Sequence, residues 1–189
     1  MTSVEFWTVW FPMVGNELLR FERKIVKEVM GKPSRYATGT TVSPEKSRVE
    51  VEQLLKRHGA TGFMYGWDDT ETCEQVLCRI EGIMLKFVVA QPDLEAYRYT
   101  ETGRERDDKA AQKAADAEYR RRWRALLLLV KAKLEAIEAG LTSIRKEFLA
   151  DILLPDNTTM GQWSHEQIDN VYKNGANLPP LLPQASGRT

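Results

Sequence analysis

Cys73-Glu74-Gln75-Val76-Leu77-Cys78-Arg79-Ile80-Glu81-Gly82-Ile83-Met84-Leu85-Lys86-Phe87-Val88-Val89 decides the fold. Val76, Cys78 and Ile80 alternate with other residues, as do Ile83, Leu85, Phe87 and Val89. A period of two places each set on one face of a strand. Glu81-Gly82 between the runs has the length of a two-residue hairpin turn. Upstream, Phe63, Tyr65 and Trp67 fall on one face of a third strand, with Gly62, Met64 and Gly66 on the other. Glycines fill a core poorly, so the aromatic face is expected inward. The rival reading, a platform on which single-stranded bases stack, is kept beside it.

Helices flank this sheet. Ser43-Pro44-Glu45-Lys46 opens one, with Ser43 as N-cap and Pro44 in the first turn, where its missing N–H costs nothing. Val49, Val51, Leu54 and Leu55 form its apolar side, and His58-Gly59 ends it. Beyond Pro92, the stretch from Tyr97 to Asp108 is charged and irregular. The longest element then runs from about Lys109 to Ala139. Tyr119, Trp123, Leu126, Leu127, Val130, Leu134 and Ile137 make one stripe at 3.6 periodicity, and Leu128 and Leu129 widen it. That widening predicts cover on more than one side, by the sheet or by a twin helix in a homo-oligomer. Gly140 interrupts or ends the helix, and Ile144, Phe148, Leu149 and Ile152 predict a helical continuation to Leu153. Pro155-Asp156-Asn157 is a turn. Ser164-His165-Glu166-Gln167 reads as a capping box before a short helix carrying Ile168, Val171 and Tyr172. The expectation is an α+β domain over residues 30–176: a small antiparallel sheet of about three strands on a long helix, with a short C-terminal helix.

Two segments lie outside that domain. Residues 1–29 hold an aromatic run, Phe6 to Val14, and an amphipathic stretch from Leu18 to Val29. The run is broken by Pro12 and is far short of the ~20 residues of a membrane span. Met30-Gly31-Lys32-Pro33 reads as a fresh beginning, so translation is expected to start at Met30; an interaction helix is the rival. Residues 177–189 carry Leu178-Pro179-Pro180-Leu181-Leu182-Pro183, a polyproline-type tail that packs on the domain or recruits a partner.

Composition narrows the function classes. The 189 residues carry 27 basic and 27 acidic side chains, a formal net charge of zero. A chain that coats phosphate with its whole surface is strongly basic, so a nucleic-acid surface here must be a local patch. Two cysteines make no disulfide scaffold, and no secretory signal pattern is present, so a cytoplasmic location is expected.

Three constellations carry candidate chemistry. Cys73 and Cys78 are five positions apart, not a zinc knuckle, with only His58 and His165 to join them, so neither metal nor cofactor is expected. Asp68-Asp69-Thr70-Glu71, Glu74 and Glu81 could gather around magnesium in a nuclease, or form an ordinary solvated turn. The basic cluster is the strongest. Arg120, Arg121, Arg122 and Arg124 lie together, with Lys131 and Lys133 two turns on. At 100° per residue, Arg120, Arg124 and Lys131 project within about 40° of one another. Such a line can follow a phosphate backbone, and Arg104 and Arg106 could extend it. Glu118, Glu135 and Glu138 argue the other way, for a solvated face with intrahelical ion pairs.

Stretches from Lys32 to Tyr36, Lys56 to Trp67, Arg122 to Ala136 and Phe148 to Trp163 resemble a group of small uncharacterised proteins encoded by prophages and tailed phages. The resemblance covers about residues 30–183 and brings no activity. It implies an intracellular protein of a mobile element. The leading expectation is therefore a non-enzymatic phage accessory binding DNA through Arg120, Arg121, Arg124 and Lys131, with Arg104 and Arg106. The alternative is a protein-binding module, an inhibitor or adaptor of a host or phage protein. A metal-dependent nuclease is third.

Overall fold

The computed structural model describes residues 36–67, 73–100 and 102–174. The expectations for residues 1–29, the acidic run 68–71 and the tail 177–189 lie outside them. In chain order come α1 (Pro44–Arg57), β1 (Gly62–Trp67), β2 (Cys73–Ile80), β3 (Ile83–Ala90), a 3₁₀ turn (Leu94–Tyr97), α2 (Asp108–Glu138), α3 (Ile144–Glu147), a 3₁₀ turn (Leu149–Asp151) and α4 (Met160–Asn174). The fold is α+β.

The three strands form an antiparallel meander in the order β1-β2-β3. Ile80 faces Ile83 across the turn, with Glu81 and Gly82 both at positive φ, 49° and 76°. This is the type I′ geometry whose twist matches that of the strands. One sheet face gathers Val76, Cys78, Ile80, Leu85, Phe87 and Val89, and onto it fold Val51, Leu54 and Leu55 of α1 and Trp123, Val130 and Leu134 of α2. Phe63 and Tyr65 pack against the same core, whereas Trp67 at the strand end stays 59% exposed.

Local chemistry sets the helix ends. The Ser43 hydroxyl accepts from Lys46 N–H, and the Asp107 carboxylate accepts from Ala110 N–H at 2.6 Å. At the far end of α2, Gly140 adopts φ 74°, and Leu141 N–H reaches back to the Ala136 carbonyl at 3.0 Å. A left-handed residue with that bond stops the helix, so Gly140 ends α2.

Two expectations are corrected. The helical continuation to Leu153 breaks into α3, a 3₁₀ turn and an extended segment. Leu153 N–H donates to the Met84 carbonyl and Ile152 bridges Leu85, because the open edge of β3 offers hydrogen bonds that a helix there would leave unmade. The last helix is not capped at Ser164. Thr159 Oγ1 accepts from Gln162 N–H at 3.2 Å, while Gln162 Oε1 accepts from Thr159 N–H at 2.6 Å. That reciprocal pair is the capping box, one turn earlier than expected.

Candidate functional site

The arginine cluster on α2 is drawn into the fold. Arg121 donates twice to the Glu118 carboxylate, both at 2.6 Å, and Arg122 Nε donates to the same group at 3.1 Å. Arg122 also donates to the Ala90 carbonyl at the end of β3, at 2.8 Å. Arg124 pairs with Glu50 of α1, and Arg120 Nε donates to the Thr40 carbonyl ahead of α1. With His58 against Glu138 at 3.2 Å, these contacts lay α1 alongside α2 in the same direction. Lys133 joins Asp151 at 2.9 Å and lies 4.8 Å from the centre of the Phe148 ring.

Electrostatics follow from this. Burial alone would raise the Glu118 carboxyl, but the bonds from Arg121 and Arg122 outweigh it and hold Glu118 below its ordinary value. Arg121 is correspondingly raised, first by its bond to Glu118. Of the expected DNA contacts, Arg106 is turned onto the Tyr97 and Tyr99 carbonyls, at 3.0 and 2.6 Å. Lys131 and Arg104 have exposed side chains. The expected line is thus divided: Arg120, Arg121 and Arg124 have partners inside the fold, and Lys131 faces solvent beyond them.

With the arginines turned away, α2 presents something else. Leu128 and Leu129 are 43% and 48% exposed, and Ala132 is exposed one turn on. Together with half-buried Ala125 these residues follow i, i+3, i+4, i+7, one apolar strip along a helix whose opposite side carries Trp123, Val130 and Leu134 into the core. The sequence does contain this strip, but Leu126 to Val130 is apolar throughout. Periodicity alone does not say which leucines stay outside.

Other candidates separate. Cys73 and Cys78 are buried on opposite faces of β2, and burial pushes the Cys78 thiol up to about 12, with a smaller push from Asp151. Glu74 and Glu81 sit at opposite ends of the strand, about 23 Å apart at 3.3 Å per residue, so they do not form one cation site. Among the described residues, no three His, Cys, Asp or Glu side chains gather as metal ligands. No described helix is long and apolar enough to cross a membrane.

Sequence reasoning missed a polar cluster between α1, the sheet and α2. Glu74, only 7% exposed, lies under Arg48, whose guanidinium is 3.9 Å from Oε1. The same guanidinium sits 4.4 Å from the centre of the Tyr65 ring and 5.6 Å from that of Trp123. The aromatic faces, Glu74 and Glu45, whose Oε1 accepts from Arg48 at 3.0 Å, together compensate a largely buried cation. Its signal in the sequence was Glu74 itself, an acid at an inward-facing position of the β2 alternation.

Compared with known proteins, the chain matches no family model, no curated protein and no solved structure. The functional reading therefore rests on the geometry above.

Proposed function

We propose that this chain is a non-enzymatic accessory protein that acts by binding another protein, with the exposed strip Ala125-Leu128-Leu129-Ala132 of α2 as the contact surface. One observation carries the reading: the helix that holds the basic cluster turns its arginines to partners within the fold and leaves two leucines in water. Apolar side chains at i, i+3, i+4 and i+7 are the anchors by which a helix docks into a groove or against a partner helix. The partner proposed is a host or phage protein.

Co-purification from cells carrying the native gene, after nuclease treatment, tests it. Wild-type protein is expected to retain a stoichiometric protein, and Leu128→Glu with Leu129→Glu to lose it without a change in melting temperature. Retention by the double variant, or capture of nucleic acid alone, would refute the proposal.

DNA binding is the second reading, favoured by exposed Lys131 and Arg104. For Arg121 and Arg124 to contact phosphate, they would have to leave Glu118 and Glu50.

A further inference from the structure

The sheet has a second face, turned away from α1 and α2. It carries Cys73, Gln75, Leu77 and Arg79 of β2 and, opposite them in register, Ala90, Val88, Lys86 and Met84 of β3. An antiparallel sheet that packs on one side only leaves the side chains of its other face in water. Here they are covered. Cys73 is 2% exposed, Leu77 9%, and Lys86, opposite Leu77 at the middle of the face, 2%. A lysine on an open sheet face runs its ammonium out to solvent, so burial this complete requires a further layer of chain over Lys86.

The described helices are committed elsewhere. Val51, Leu54 and Leu55 of α1, Trp123, Val130 and Leu134 of α2 and Ile144 of α3 all join the core on the first face. At its start α4 rests on the 3₁₀ turn at Ala150, and further along it leaves Ile168 and Tyr172 49% and 86% exposed, so its apolar side is not laid along the sheet. The cover therefore comes from outside the described residues, and the stretch from Asn16 to Val29 fits it. Leu18, Phe21, Ile25 and Val29 recur at i, i+3, i+7 and i+11, with Leu19 and Val26 beside them. Glu17, Glu22 and Glu28 supply carboxylates of the kind that a buried ammonium requires. The reach is sufficient. The chain from Val29 to Tyr36 extends to about 23 Å. Stacked layers lie about 10 Å apart, so about 20 Å separates the layer of α1 from one beyond the sheet.

We infer that residues 16–29 are a third layer of this fold, laying their apolar side over Leu77 and Lys86 so that the sheet is buried on both faces. A chain begun at Met30 would leave Leu77 in water, so the inference runs against the expected start there.

Chemical labelling of the full chain under native conditions, read by peptide mass spectrometry, tests it. Lys86 acetylation and Cys73 alkylation report on the second face, and Cys78, on the first face, reports on global folding. In wild type all three are expected to be protected. Phe21→Glu with Ile25→Glu should speed modification of Lys86 and Cys73 by about tenfold or more while Cys78 stays protected. Unchanged protection of Lys86 in that variant would overturn the inference. So would loss of protection in Leu181→Glu with Leu182→Glu instead, which would assign the cover to the C-terminal tail. Amide exchange of the wild-type chain decides the matter even if the first variant unfolds. Residues 18–29 are expected to exchange slowly, and exchange there as fast as in a free peptide would refute the third layer.

Discussion

Glu118 is the residue that decides how α2 is read, because its single carboxylate takes three hydrogen bonds from two arginines. Its pairs with Arg121 and Arg122 are largely shielded, with side-chain exposures of 13–17%. Glu118→Gln is expected to cost about 1.5 kcal/mol in urea unfolding, the scale of charge-assisted bonds weakened to neutral ones. The pH dependence has a definite sign. The carboxyl is held below its ordinary value of 4.5 in the folded chain, so its stabilisation is present above that value. It is lost as pH falls through the folded value. Wild type should therefore lose stability more steeply than Glu118→Gln below about pH 4.5, and parallel curves would show that the pairs contribute nothing. At the hairpin, Glu81 holds φ 49° without being glycine. Asparagine tolerates that conformation better, and Glu81→Asn should raise the unfolding midpoint by the equivalent of about 0.5 kcal/mol.

At the scale of elements, α4 depends on one close approach. A Cβ at Gly161 would lie 2.9 Å from the Ala150 carbonyl oxygen, a backbone atom in the preceding 3₁₀ turn. Gly161→Ala is expected to loosen α4 at a cost of about 1–3 kcal/mol, seen as faster amide exchange confined to 160–174. Unchanged exchange would mean that the two backbones separate easily. The hairpin and the α1 cap were legible because each is written locally: alternation over a few residues, and Ser43 beside Pro44. The stop at Gly140 was legible too, but the break-up of the helical continuation to Leu153 was not. Ile144, Phe148 and Ile152 keep helical spacing, and what overrides it is the edge of β3, far away in sequence. The Thr159-to-Gln162 box was not read from the chain, where the Ser164 pattern five residues later has the same form, and close packing of Gly161 on Ala150 favours the earlier start.

For the whole molecule, the sheet, the long helix and the Glu118 ion pairs along it could be read from the chain alone, whereas the partners that the charges find on other elements could not. Basic and acidic residues balance at 27 each, and what matters is where they meet. Arg124 finds Glu50 and Arg120 finds Thr40 across a helix pair joined only by the fold, contacts that no spacing along α2 reveals. The apolar strip at Leu128 and Leu129 is the complement of that arrangement. In the function proposed here the α2 arginines are internal ties and the apolar strip is the contact surface. The first experiment is anisotropy of labelled single- and double-stranded DNA, titrated with the protein at low and near-physiological salt. The expected result is no saturable binding at physiological salt, and weak low-salt binding unaltered by Arg121→Ala. Tight binding that falls steeply with salt, with a slope reduced by Arg121→Ala or Arg124→Ala, would contradict it.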